Sequence, residues 1–431
     1  MTSLWHDTAN LPRFPALSRD TSCDVLVIGG GMAGLLTLHE LCRRGVDCLL
    51  VEAERIGSGT TGGTTAVLSA QHDTLYADLI RSFGRDQAKA VLYANLSAVE
   101  QYRALCARIP CDFSEAPSCL YTLSSPARLE REASAVQSLG FPARFTQQTE
   151  LPLPVRGAVF FPGMAQFHPL RFLAGLVPGL PICENTRALR IEPGAVHTNR
   201  GVIRARRVIV CTHFPILNRR GLYFMKQYQM RSFVLALKNA PALHGTYAGT
   251  ERGGLYFRSY GDLLLVGGGD HRTGKSGGGF DCVEAFVRRT WPQARVAYRW
   301  AAQDCMSLDG APYIGPYSPH TPGLFVATGF NEWGMTTSMV ASRLLADAVT
   351  GQPNPYARAF APQRSLVHPQ LLGNLFETTL GLLWPTSRRC THLGCALHWN
   401  PQEHTWDCSC HGSRYAPDGK LLDNPALRDR R

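Results

Sequence analysis

Charge is scarce in this chain: Asp, Glu, Lys and Arg together make up 18% of 431 residues, while apolar side chains make up 45%. That balance excludes extended disorder, which needs few apolar residues and much net charge, and it allows a large buried core. Long apolar runs are also missing. Nothing reaches the roughly 18 consecutive apolar residues of a spanning helix, so no transmembrane segment is expected. The opening MTSLWHDTANLPRFPALSRD holds no apolar stretch of the kind a secretory leader carries, and the expected location is cytoplasmic. Cations exceed anions by 11, yet they form only short clusters such as RARR at 204–207 and RDRR at 428–431. Without a sustained basic stripe, nucleic acid is not an expected partner.

A disulfide framework is absent from most of the chain. Ten of the 14 cysteines (Cys23, Cys42, Cys48, Cys106, Cys111, Cys119, Cys183, Cys211, Cys282 and Cys305) are dispersed in mostly apolar company and read as reduced small hydrophobes. The other four lie together between 390 and 410. The length suits two or three domains.

What is present starts at Cys23, with CDVLVIGGGMAGLLTLHELCRRGVDCLLVE. DVLVIG reads as a buried strand, the following segment has helical spacing up to Gly45, and DCLLVE reads as a second strand. Between the first strand and the helix stand Gly29, Gly31 and Gly34 in G-x-G-x-x-G order, and the second strand ends in Glu52. The first glycine makes the tight turn, the second admits a pyrophosphate, and the third lets helix pack on strand. The helix N-terminus then faces the phosphates, and the acid accepts hydrogen bonds from a ribose. A second glycine- and threonine-rich loop, IGSGTTGGTTAVLSAQH at 56–72, supplies backbone N–H groups suited to a flavin's ribityl chain and pyrophosphate. Near the other end, GLFVATGFNEWGMTTSMVASRLLADAVTG at 323–351 reads as a strand, a turn with Gly329 and Gly334, and an amphipathic helix. The helix start at Gly334, Met335 and Thr336 suits negative charge on a reduced flavin.

This layout resembles the D-amino-acid-oxidase-like family of FAD-dependent oxidoreductases over roughly residues 20–355. The resemblance implies an α/β (mixed α+β) fold: a Rossmann-like FAD-binding domain in separated segments, with an inserted antiparallel-sheet substrate domain. It assigns 1–75, 150–215 and 296–355 to the FAD domain and 76–149 and 216–295 to the substrate domain. RRVIVCTHFP at 206–215 becomes the middle return to the FAD sheet. FAD contacts are implied for Gly29, Gly31, Gly34 and Glu52, for Thr60, Thr61, Gly62, Thr64 and Thr65, and for Gly329, Gly334, Met335 and Thr336. The second loop departs from the Ser-Gly-Arg-Asn that oxidases more often carry there, so substrate residues do not transfer. Arg231 and Arg258 are candidate partners for a substrate carboxylate because a guanidinium binds it bidentately, and His213 and His271 are candidate polar groups near the flavin. Cys305 reads as a buried thiol rather than a flavin attachment point.

One motif is a decoy. GDHRTGKS at 269–276 fits G-x-x-x-x-G-K-S/T and follows a strand-like DLLLVGG. A phosphate-binding loop needs a helix to begin at the Lys-Ser, whereas three glycines follow and would break a first turn. A turn of the substrate domain is expected instead.

The tail CTHLGCALHWNPQEHTWDCSCHGSRY at 390–415 holds four cysteines and four histidines. Cys390-x-His392 and Cys408-x-x-His411 suit tetrahedral zinc, and they equally suit a [2Fe-2S] centre with two cysteines on one iron and two histidines on the other. Ser413 and Tyr415 follow closely enough to donate hydrogen bonds to sulfur. The boxes C-T-H-L-G-C and C-x-C-H-G-S resemble those of high-potential Rieske proteins. That resemblance implies Cys390, His392, Cys408 and His411 as ligands and a Cys395–Cys410 disulfide between the loops. It makes 387–431 a small all-β Rieske module, shortened because few residues precede the first box. A linker at 356–386 carries an amphipathic helix, HPQLLGNLFETTLGLLW, with Leu372, Phe376, Leu380 and Leu383 on one face.

Flavin and cluster in one chain imply electron flow between them. An oxidase passes electrons to O₂ directly and needs no cluster, so a dehydrogenase with an external one-electron acceptor, a protein or a quinone, is expected. The resemblance implies amine or amino-acid-like substrates oxidised by hydride transfer to FAD. Two alternatives are a redox- or iron-sensing flavoprotein without turnover and an NAD(P)H-driven reductase; no second nucleotide fingerprint supports the latter.

Overall fold

The computed structural model describes residues 2–217 and 220–430. Its first sheet forms around Thr21–Ile28, whose burial on both faces follows from the near-continuous apolar run. This strand pairs in parallel with Cys48–Val51 on one side and with Gly201–Val210 on the other. Leu324–Thr328 adds to Gly201–Val210 in parallel, and Tyr313–Pro316 follows antiparallel. Helices Met32–Arg43 and Gly334–Thr350 pack on each other against the sheet, joining Val25, Val27, Leu35, Met339 and Leu344 in one apolar core.

The second sheet has eight strands and is mostly antiparallel, with Gln227–Lys238 between Arg295–Ser307 and Leu263–Arg272. It corrects two expected boundaries. Gly157–Phe161 pairs with Ser118–Thr122, and Arg295–Ser307 with Gln227–Lys238, so both belong to this sheet rather than to the FAD domain. Their apolar faces meet cross-strand partners far away in sequence, which local pattern does not reveal.

The tail forms a four-stranded antiparallel sheet of Leu397–Asn400, Thr405–Cys408, Arg414–Tyr415 and Leu421–Asp423. It is propped directly on the larger unit. Gln229 donates to the His411 carbonyl at 2.7 Å, and Gln303 to the Gly412 carbonyl at 3.0 Å. Arg272 donates to the carbonyls of Ser409 and Cys410 at 2.8 and 3.0 Å. Gly274 passes so close that a Cβ there would meet Ser409 N at 2.5 Å. The phosphate-loop lookalike is thus a docking turn, and the helix after it begins only at Gly279.

The helix Pro369–Leu383 forms as the spacing predicts, with His368 capping its start. Leu372, Phe376, Leu380 and Leu383 all face solvent. Among the described residues no helix is long and apolar enough to cross a membrane.

Candidate cofactor cleft, substrate cavity and cluster site

The first glycine-rich turn is built by backbone crowding. Gly29 sits at φ +112°, and a Cβ there would lie 2.4 Å from the Cys211 carbonyl oxygen. A Cβ on Gly34 would lie 1.9 Å from the Gly29 carbonyl oxygen, so helix and strand close only around glycine. Gly31 is the N-cap of Met32–Arg43 and brings no capping side chain of its own; of the first-turn N–H groups, that of Met32 donates to Thr61 Oγ1 at 3.0 Å. Glu52 accepts from Gly30 N at 2.6 Å and Glu54 N at 2.9 Å. Burial nevertheless holds its carboxyl above the usual range.

A cleft of about 300 Å³ opens over this turn, lined by Gly29, Gly31, Glu52, Thr60, Thr61, Gly329, Gly334 and Met335 among the expected residues. Others support it from outside. Gly62 makes room for His6, and Thr336 spends its hydroxyl on Ser69 N at 2.9 Å. Thr64 and Thr65 line a neighbouring cavity instead. Thr186, Thr212, Ser338 and the tail's Asp423 and Asn424 also line the cleft, and no local pattern marks them. The free helix end, the acid at the second strand and the glycine floor fit a dinucleotide.

The neighbouring cavity, about 400 Å³, shares Thr60, Asp304, Gly334 and Met335 with the cleft. Its wall carries Asp73, Asp270, Asp304 and Glu332. Burial raises all four carboxyl pKa values, and for Glu332 the neighbouring carboxylates add to the rise. Asp270 Oδ1 makes no hydrogen bond among the described residues.

The four expected catalytic side chains divide. His213 lines the cleft at φ +64°, with burial lowering its pKa to about 4. Arg258 lines the cavity, but its Nη1 donates to the carbonyls of Thr65, Ala66 and Phe167, so it holds the second loop in place. Arg231 is not available to a substrate: it forms a buried ion pair with Glu403 of the tail. His271 stacks on Phe233 at 5.2 Å and holds the Gly269 carbonyl at 3.0 Å, away from the cleft.

In the tail, the rings of His392 and His411 lie 4.9 Å apart, and Cys390 and Cys408 are buried beside them. Neither nitrogen of the buried His411 completes a hydrogen bond among the described residues, although the Phe224 backbone faces its ring. An imidazole so placed is costly unless it ligates something. Burial lowers both imidazoles, to about 3 and about 4, leaving neutral rings with a lone pair to give. Two thiols and two imidazoles converging in this way fit a Rieske-type centre. Tyr415 Oη lies 3.5 Å from Cys390 Sγ, while the Ser413 hydroxyl accepts from Ala426 N at 3.0 Å. Cys395 and Cys410 are free thiols here, with their sulfurs and that of Cys408 within 4.8 Å of one another. The disulfide implied by the resemblance would join two sulfurs that the loops already bring this close.

Cleft and cluster site share a wall. Phe214, two residues past Thr212, sets its ring 6.4 Å from that of His392 and 6.3 Å from that of His411. Asn424 donates to the carbonyl of Phe214 at 3.0 Å.

Comparison with known proteins agrees with this geometry. Residues 24–348 match the family model "DAO: FAD dependent oxidoreductase", and residues 372–430 match the Rieske [2Fe-2S] domain. The putative Rieske 2Fe-2S iron-sulfur protein YhfW of Bacillus subtilis is 34% identical, covering 98% of this chain and 96% of its own. The gamma-glutamylputrescine oxidoreductase of Escherichia coli is 25% identical over 78% of this chain and 86% of its own. Among solved structures, glycine oxidase from Geobacillus kaustophilus shares the fold, with a TM-score of 0.68 over 80% of this chain and 99% of that one at 21% identity.

Proposed function

We infer the function from one premise: the chain belongs to the DAO family of FAD-dependent oxidoreductases and ends in a Rieske [2Fe-2S] domain. The reading is a dehydrogenase for a cationic amine that delivers electrons, through the tail, to an external one-electron acceptor. When bound, FAD takes up two electrons from a carbon bearing nitrogen, and the cluster handles electrons one at a time.

This chain's residues supply binding and proton handling. Gly29 to Met32 present the helix start to the pyrophosphate, and Glu52 faces the ribose. Cys390, His392, Cys408 and His411 are the cluster's ligands. In the cavity, Asp270, Asp304 and Glu332 are the groups that would face an ammonium; of the arginines on its wall Arg258 is engaged with backbone carbonyls, and Arg128 and Arg252 stand at its exposed rim. Oxidation beside nitrogen needs the amine neutral. Asp270 Oδ1, unsatisfied by the protein, is placed to take the ammonium proton.

The observation that carries the reading is the shared wall: Thr212 and His213 line the cofactor cleft while Phe214 meets both cluster histidines. A tail ending on that wall serves little purpose if electrons leave the flavin to O₂. The relative that acts on gamma-glutamylputrescine makes ω-amino compounds the first substrates to try.

The test mixes anaerobic holoenzyme with diamines, gamma-glutamylated diamines, glycine and proline, following flavin absorbance and the cluster's paramagnetic signal together. Bleaching by an amine followed by appearance of the reduced cluster is expected. No bleaching by any amine defeats the reading, as does reoxidation by O₂ as fast as by a one-electron acceptor.

A further inference from the structure

We propose that the helix Pro369–Leu383 is an interfacial anchor, lying with its apolar face on an anionic membrane surface. The helix is packed the reverse of a soluble amphipathic helix. Its buried positions are Asn374 and Gly381, while Leu372, Phe376 and Leu383 are 71%, 62% and 75% exposed. Leu372, Phe376, Leu380 and Leu383 follow one another at three- and four-residue steps, so they form one stripe.

The helix cannot roll over to bury that stripe, because its inner face is tied down. Asn374 donates to the Met225 carbonyl at 3.1 Å and accepts from Arg272 at 3.0 Å. Gly381 accepts from Ala396 N at 2.8 Å, and a Cβ there would lie 2.5 Å from Cys410 Sγ. The pinned inner face holds this stripe in solvent together with Leu382 and Trp384, and an apolar patch of this kind on a polar surface marks an interaction site.

Charge and area select a bilayer. Between residues 355 and 400 the chain has Arg358, Arg388 and Arg389 (Arg364 being taken up in a buried pair with Asp309) against a single carboxylate, Glu377, which is paired with Lys275 at 2.6 Å. The helix ends in Trp384, 55% exposed, the side chain that favours the headgroup level of a membrane. Leu, Phe and Trp on one side with cations around them is the composition of helices that lie in the interface and prefer anionic lipid. A helix of 15 residues is roughly 22 Å long and about 10 Å wide, so its face offers roughly 220 Å². A stable dimer needs about 800 Å² from each partner, so a second copy is a poor fit.

Because Cys410 Sγ contacts the Glu377 carbonyl on the helix at 3.6 Å, the anchor would hold the cluster box at the lipid surface. The lipid contact itself is independent of which substrate the flavin domain oxidises.

The test is co-sedimentation of the full holoprotein with vesicles of phosphatidylcholine alone and of phosphatidylcholine mixed with phosphatidylglycerol. Phe376→Glu and Leu383→Glu are compared with wild type, and flavin absorbance and cluster signal serve as controls for folding. Wild type should sediment with the anionic vesicles and be released by salt, each substitution weakening binding about tenfold. No sedimentation with either vesicle, or equal binding by the variants, overturns the proposal. So does a dimer in light scattering that the same substitutions dissociate, since a second copy then covers the stripe.

Discussion

The side-chain amide of Asn424 donates to the Thr212 carbonyl at 2.5 Å, across 212 residues of sequence. Thr212 lines the cofactor cleft, so the last strand turn of the Rieske domain completes the wall of the flavin domain. The tail is therefore docked in a defined pose, and the consequences of that docking can be measured.

The Arg231–Glu403 pair is one clamp in this pose, with side chains only 5% and 10% exposed. Removing Arg231 leaves Glu403 buried with Arg414 as its remaining partner at 2.9 Å, so the cost is that of one charged hydrogen-bonded contact, about 1.5–3 kcal/mol. Arg231→Ala should release the tail: proteolysis should cut within 356–389 faster and bound iron should fall, while FAD content holds. Unchanged proteolysis would place the docking energy elsewhere.

Asp270→Asn removes the proposed proton acceptor of the cavity while keeping its size. FAD and iron should stay bound, and kcat/KM for an amine should drop by about 100-fold or more. The loss should shrink as pH rises and the free amine deprotonates by itself, which steady-state rates across pH would show.

His213 links stability to pH. Burial lowers its pKa from 6.5 to about 4, so the unfolded chain binds a proton that the folded one refuses between those values. Stability from this group is present above pH 6.5 and is lost as pH falls toward 4, by at most about 3 kcal/mol. His213→Asn, which tolerates the same positive φ, should flatten that part of the unfolding profile relative to wild type.

The sulfurs of Cys395 and Cys410 lie within 4.8 Å of each other. Exposure of holoprotein to a mild disulfide oxidant should close them, removing two titratable thiols and lowering the mass by about two hydrogens. The cluster's potential should shift with it. Retention of all free thiols would show that the contact does not mature into a bond.

Much of this was readable from residue order. Gly29, Gly31, Gly34 and Glu52 carry their task in spacing alone, because a strand, a turn and a helix are local objects. The same holds for Cys390, His392, Cys408 and His411, where each box is a short loop. The roles of Arg231 and Arg258, expected as substrate-carboxylate partners, and of His271, expected as a polar group near the flavin, were not legible for the opposite reason. An arginine's partner, whether ligand, carbonyl or carboxylate, is set by whatever the fold brings to it, and Glu403 comes from 172 residues away. The three glycines after GDHRTGKS set it apart from a phosphate loop, yet nothing local in it records that Arg272 stitches it to Ser409 and Cys410.

Sequence by itself determined the cofactors, since glycine spacing, an acid at a strand end and paired Cys/His boxes are short-range chemistry. Tertiary structure alone decided that Asp73, Asp270, Asp304 and Glu332 meet on one cavity wall, that the tail rests on the cleft wall, and that the 369–383 helix turns its leucines outward. These depend on strands and loops meeting across hundreds of residues, where packing and buried pairing choose the partner and no local pattern records the choice.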